Sequence, residues 1–471
     1  MVESLVACVL SLALPMPQDA ARSEAGERIL AEAGAIEREI ARLRGRPFAR
    51  PVAKEVCTRD ELSGHVTRML ADPDAQEELR RDQILLRAIG LFPEGFSLQE
   101  LAQSLLASQI AGFYDPKART LRCVESGILF EQRITLVHEI YHSLQDEYFP
   151  LDPYMKGEEG AVKASDRDRA RQAVVEGDAQ YFTMSVYTPA HGDELRADLL
   201  GQDPAELIGL GLNQVLAQAA IPPFFADELT WPYLSGARFI GALFESGGWP
   251  AVDRAFAQPP ASTEQILHPR KYLDGGDPPL AVTAPVPPFA HGFEELLRDT
   301  VGEARIAALV QNMGGGPVHA TRASQGWGGD QALVLRAPEG DELLIWRLRF
   351  DSERDGEQFV AAWRRVLARS VEAGDGPGGA AGTSAVVAEL AAGATRFAPI
   401  DRDRFPLPKR WSGEFALPAG ACAAVAEREG DRASWLVRRG AEVILLRGRT
   451  LAQRPAIEIG ELAELAAGEF R

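Results

Sequence analysis

One segment constrains the chain more than any other: FEQRITLVHEIYHSLQDEYF at 130–149, where Leu136, Val137, Ile140, Tyr141 and Leu144 recur at helical spacing while His138 and His142 stand one turn apart. The pattern requires a long amphipathic helix with its apolar stripe on a core and two imidazoles on one face. Pro150 and Pro153 are expected to close it. Glu139 completes an HExxH pattern, which with 7 His in 471 residues arises by chance in roughly one such chain in a hundred. The flanking sequence therefore has to decide what it means.

Before this helix, 25–45 has helical spacing at Ile29, Leu30, Ile36, Ile40 and Leu43, and PVAKEVCT (51–58) alternates like a short strand. Thr58 and Glu61 form a capping box that starts a helix. Another helix runs to about Gln109, and turn residues at 115–119 separate AGFY from TLRCV, which predicts a hairpin. Helices follow at 168–187, 205–220 and 233–248. The Pro/Gly-rich stretch 274–289 marks a boundary. Beyond it the sequence predicts a helix over 293–313, a strand ending in Trp346, Leu348 and Phe350 with one buried face, a helix at 356–370, a loop at 374–384 and a hairpin turning near Gly440. The expected fold is α+β. A probable signal peptide (1–21) precedes a mainly α domain with a small sheet (22–289), followed by a smaller α+β domain with an antiparallel sheet (290–471).

Two neutral imidazoles on one rigid face are what a catalytic zinc site needs, together with a third ligand and an open position for water. His138 and His142 supply the pair, and Glu139 is placed to act as general base on the water that a zinc ion would activate. A histidine at the third position of the metzincin spacing is excluded, because Gln145 and Tyr148 stand where Gly and His would be needed. The alternative is a Glu on a following helix. Glu176 in AVVEGDAQYF is the best candidate, because Val174, Val175 and Gly177 suggest a buried, closely approached backbone there. Glu158 and Glu159 lie in a charged loop and are weaker candidates; Asp178 or Gln180 would orient a ligand imidazole. An oxyanion needs a further donor, for which Tyr114, Tyr148, Tyr233 and His268 are candidates, with His268 ahead of Pro269 preferred as a catalytic residue. His65, His191, His291 and His319 are expected at the surface, and Trp231, Trp249 and Trp327 in packing roles.

The ordered segments GFYDP (112–116), TLVHEIYHSLQDEYF, VVEGDA (174–179), WPYLSGARFI (231–240), PASTEQILHPRKY (260–272) and GWGGD (326–330) resemble a poorly characterised group of bacterial and archaeal HExxH metallopeptidase-like proteins of gluzincin type. The likeness runs from about residue 40 to 350. It implies a zincin-like domain, Zn²⁺ as cofactor, Glu176 as third ligand, hydrolysis of peptide bonds and export. Gln180 departs from the thermolysin-like pattern, which would place an Asp there.

Composition narrows the partners. With 50 Lys+Arg against 68 Asp+Glu, a net charge of −18 disfavours nucleic acid, and a peptide or protein substrate is expected. Four cysteines form no CxxC pair, and no apolar run is long enough to span a bilayer. Periplasmic, secreted or surface location is expected from the apolar run Leu5–Leu14. The rival reading is a catalytically inactive metal-binding or scaffold protein.

Overall fold

The computed structural model describes residues 24–92, 95–109, 112–124, 129–157, 165–187, 222–372, 421–428 and 432–448. The expected signal peptide, the helix at 205–220, Glu158, Glu159, His191 and the loop at 374–384 lie outside them. The chain divides into two compact units: Met1–Arg80, Ser97–Val162 and Arg167–Asp277 form the first, and Arg81–Phe96, Lys163–Asp166 and Pro278–Arg471 the second. The architecture is α+β, with one small mixed sheet and a separate antiparallel sheet. Among the described residues no helix is long and apolar enough to cross a membrane.

In the first unit, helix α1 (Glu24–Arg44) buries Ile29, Ala33, Ile36 and Ile40. Leu30 and Leu43, expected on the same stripe, are exposed. Strand β1 (Ala53–Cys57) leads into α2 (Arg59–Leu70), where the Thr58–Glu61 capping box is formed in both directions, an arrangement that stabilises a helix start by about 1 kcal/mol. Helix α3 (Pro73–Ile89), whose residues from Arg81 on are counted with the second unit, and α4 (Leu98–Gln109) precede the hairpin β2 (Gly112–Asp115) and β3 (Thr120–Val124). The Asp115 carboxylate accepts the amides of Lys117 and Ala118 and fixes its turn. The sheet order is β1-β3-β2, with β1 parallel and β2 antiparallel to β3, so β2 is an edge among the described strands.

Helix α5 (Leu129–Tyr148) packs Leu136, Val137, Ile140, Tyr141 and Leu144 into one core with α1. It ends at Tyr148, ahead of Pro150 and Pro153 as expected, and Pro153 lies in the first turn of α6 (Leu151–Lys156), where its missing N–H would have had no helical acceptor. Helix α7 (Ser165–Tyr187) and α8 (Pro223–Ala257), which breaks at Gly247–Gly248, share a second core through Val174, Val175, Phe239, Ile240 and Leu243. The short helices α9 (Thr263–Leu267) and α10 (Pro269–Leu273) meet at His268.

The second unit holds a sheet of order β4-β5-β6-β9-β8-β7, antiparallel throughout, formed by β4 (Glu294–Asp299), β5 (Trp327–Arg336), β6 (Glu342–Phe350), β7 (Ala421–Arg428), β8 (Arg432–Arg439) and β9 (Glu442–Gly448). Helices α11 (Gly302–Val310), α12 (Pro317–Ser324) and α13 (Glu353–Glu372) accompany it. The helix expected over 293–313 is corrected: its first part is strand β4, and the helix starts only at Gly302. Buried Asp330 accepts the amides of Val301 and Gly302 there, which ends the strand by a contact distant in sequence. Only the end of β6 has one buried face. Leu343, Leu344, Ile345 and Trp346 are buried in succession, because both sides of that stretch are covered. The β8–β9 hairpin turns at Gly440, whose φ is 59°.

Candidate metal centre

His138 and His142 leave α5 on its buried side, and Glu176 reaches them from α7; all three are buried. The two Nε2 atoms are 3.0 Å apart, and each lies 3.3 Å from Glu176 Oε2. These separations match the edges of a tetrahedron: an ion with ligand bonds of roughly 2.0–2.1 Å has edges of roughly 3.3 Å. The donor set, two imidazoles and a carboxylate, is one that zinc accepts. Among the described residues, three side chains that could hold a metal ion converge here.

The electrostatics agree with a cation-accepting site. Burial disfavours charge on His142, but Glu176 outweighs it and raises that pKa to about 9. Burial also works against the Glu176 carboxylate, yet the two imidazoles bring its pKa down to about 2. His138 is lowered, by burial first and then by the charge of His142 despite its bond to Glu176. Glu176 therefore keeps its negative charge beside His142, while burial holds His138 toward its neutral form. A second grouping, Glu55, Cys57 and His65, differs: Arg122 bonds Glu55 at 3.0 Å and Arg68 bonds His65 at 2.8 Å, so guanidinium cations already stand beside two of its three groups.

Glu176 reaches the histidines because α7 and α8 cross at glycine. A Cβ on Gly177 would lie 2.2 Å from the Gly236 carbonyl carbon, and one on Gly236 would lie 2.1 Å from the Ala173 oxygen. Gly177 thus makes the close approach that VVEGDA implied. The crossing also brings in Tyr233, one turn before Gly236, fully buried with its ring centroid 5.8 Å from that of His138.

Glu139 is more buried than either histidine, and its Oε2 accepts the Tyr114 amide at 2.8 Å. The edge strand β2 therefore turns a backbone donor toward the site. The other candidate donors separate clearly. Tyr114 gives its hydroxyl proton to Asp146 at 3.0 Å, and Asp146 in turn accepts the Leu151 amide at 2.9 Å. Tyr148 donates to the Pro47 carbonyl at 2.7 Å. His268 is half-buried at the α9–α10 junction and is not one of the three grouped ligands; its backbone closes α9 and opens α10. His65 and His319 are half-buried and His291 is exposed. Trp231 and Trp249 stack under Arg169 and Arg44, and Trp327 is fully buried.

Asp178 orients a ligand only indirectly, and the residue between was missed. Gln145 Oε1 lies 2.7 Å from His142 Nδ1, while its Nε2 donates to Asp178 at 2.9 Å and to the Val175 carbonyl at 3.0 Å. The only signal in the sequence was position: Gln145 follows His142 by one helical turn and so shares its face.

Residues 291–405 match a family described as "Domain of unknown function (DUF8575)", a segment that contains none of His138, Glu139, His142 and Glu176. No curated protein and no solved structure matches the chain.

Proposed function

We propose that this chain is a zinc-dependent peptidase, with His138, His142 and Glu176 as ligands and Glu139 as general base. The observation that carries the reading is the convergence of the three ligand atoms at tetrahedral spacing beside Glu139. Zinc held there would supply Lewis acidity toward a scissile carbonyl and would lower the pKa of a bound water. Glu139 takes the proton of the attacking water as the new C–O bond forms, and delivers it to the amine as the C–N bond breaks. Tyr233, whose ring centroid lies 5.8 Å from that of His138, is the candidate placed to meet the developing oxyanion, with His268 as the alternative. An extended peptide would lie along β2, an edge strand of the small sheet.

Elemental analysis of the purified protein, with His142→Ala and Glu176→Ala in parallel, tests the centre. About one zinc per wild-type chain and its loss in both variants supports the reading. A peptide-library screen with Glu139→Gln as control then separates an enzyme from a metal-binding scaffold: cleavage by neither protein supports the scaffold.

A further inference from the structure

We infer that Gln145 is the positioning residue of the metal centre: its amide carries the polarity of a buried hydrogen-bond chain to His142 and fixes which ring nitrogen faces the metal. The inference rests on the reading of His138, His142 and Glu176 as a metal site.

The chain starts at Arg44, which only donates. Its Nε bonds the Tyr141 oxygen at 2.7 Å, and a second nitrogen bonds Asp253. Tyr141, having accepted from Arg44, turns its own proton to Asp178 Oδ1 at 3.0 Å. Asp178 is fully buried, and as a carboxylate it only accepts. Its other oxygen and the Val175 carbonyl are both acceptors facing Gln145, at 2.9 and 3.0 Å, so the NH₂ end of the Gln145 amide must face them. The amide oxygen is thereby turned to His142 Nδ1 at 2.7 Å. An oxygen there requires the proton on Nδ1, which leaves the Nε2 lone pair for the metal. Every link has one allowed direction. The device replaces the direct carboxylate–histidine contact usual at such ligands, and it joins α1, α5 and α7 to one imidazole.

The test is zinc affinity, measured by competition with a chromophoric chelator, for wild type, Gln145→Leu and the double variant Gln145→Glu/Asp178→Asn. Thermal melting of the metal-free proteins reports folding. The double variant reverses the amide–carboxylate contact and keeps an acceptor for His142 and one for Tyr141, but it leaves the Val175 carbonyl facing a carboxylate oxygen, a cost in stability that the melting of the metal-free protein reads. Gln145→Leu is expected to bind zinc about 10–100-fold more weakly, the usual cost of losing such a partner. Double substitution is expected to bring affinity back to within about tenfold of wild type, and the His142 Nδ1–H resonance of the zinc-loaded protein, lost in Gln145→Leu, should return. A packing role would not be rescued by reversing polarity. Wild-type affinity in a folded Gln145→Leu, or a folded double variant as weak as Gln145→Leu, overturns the inference while leaving the metal site standing. If Gln145→Leu does not fold, the double variant alone decides. A wild type that binds no zinc overturns both readings.

Discussion

Gly177 and Gly236 meet backbone to backbone where α7 crosses α8, closer than any side chain would permit, and the residues that flank this crossing are Glu176 and Tyr233. Helix contact and candidate metal centre are therefore one construction: the glycine that weakens each helix locally allows a carboxylate and a phenol to reach His138.

Gly177→Ala tests that coupling. Alanine improves intrinsic helix propensity by about 1 kcal/mol, but its methyl would overlap backbone that has no rotamer to yield. Net destabilisation of about 1–3 kcal/mol is expected in denaturant melts, together with weakened zinc binding as Glu176 is pushed from the histidines. A stabilised variant with unchanged zinc affinity would show that the crossing does not set the site.

Glu139 and Tyr233 should separate binding from chemistry. Glu139→Gln keeps the ligands, so zinc content should stay at wild-type level while turnover falls by about 10²–10⁴-fold. Tyr233→Phe should lower kcat by about 10²–10³-fold with KM and zinc content little changed. Loss of zinc from Tyr233→Phe would instead make the hydroxyl part of the ligand scaffold.

Zinc uptake should depend on pH with a definite sign. The His142 pKa in the metal-free fold is about 9, above its ordinary 6.5. The protonated His142–Glu176 pair therefore contributes stability that is fully present below about pH 6.5 and is lost as pH rises through about 9. Metal needs that imidazole neutral, so zinc affinity should climb by about tenfold per pH unit and level off near pH 9. Calorimetry in buffers of different ionisation enthalpy should show about one proton released per ion at pH 7.5; release of none would contradict the charge assignment.

Asp330 offers a stability test in the second unit. Its two oxygens accept the amides of Val301 and Gly302 and the indole N–H groups of Trp327 and Trp346, at 2.8 to 3.0 Å. Burial nonetheless raises its pKa. Asp330→Asn removes the charge but points an NH₂ at some of these four donors. A loss of at least about 1–3 kcal/mol is expected in urea melts, whereas an unchanged midpoint would mean that the donors find other acceptors.

The sequence by itself determined what depends on near neighbours. Helix α5 and its paired histidines, the Thr58 cap, the β2–β3 hairpin and the turn at Gly440 are set by periodicity, capping chemistry and turn residues within one or two turns of chain, and the structure forms each of them. Tertiary structure decided what depends on distant partners. That Glu176 stands 3.3 Å from both imidazoles follows from where α7 lies, and VVEGDA could only nominate it. Strand β4 was read as helix because its leucines fit that spacing, and pairing with β5 overrode a weak local preference. Gln145 looked like the residue that ruled out another spacing, and its work became visible only when folding brought Asp178 and Val175 against it. A hydrogen bond takes its direction from both partners, and the sequence lists them without saying which will meet.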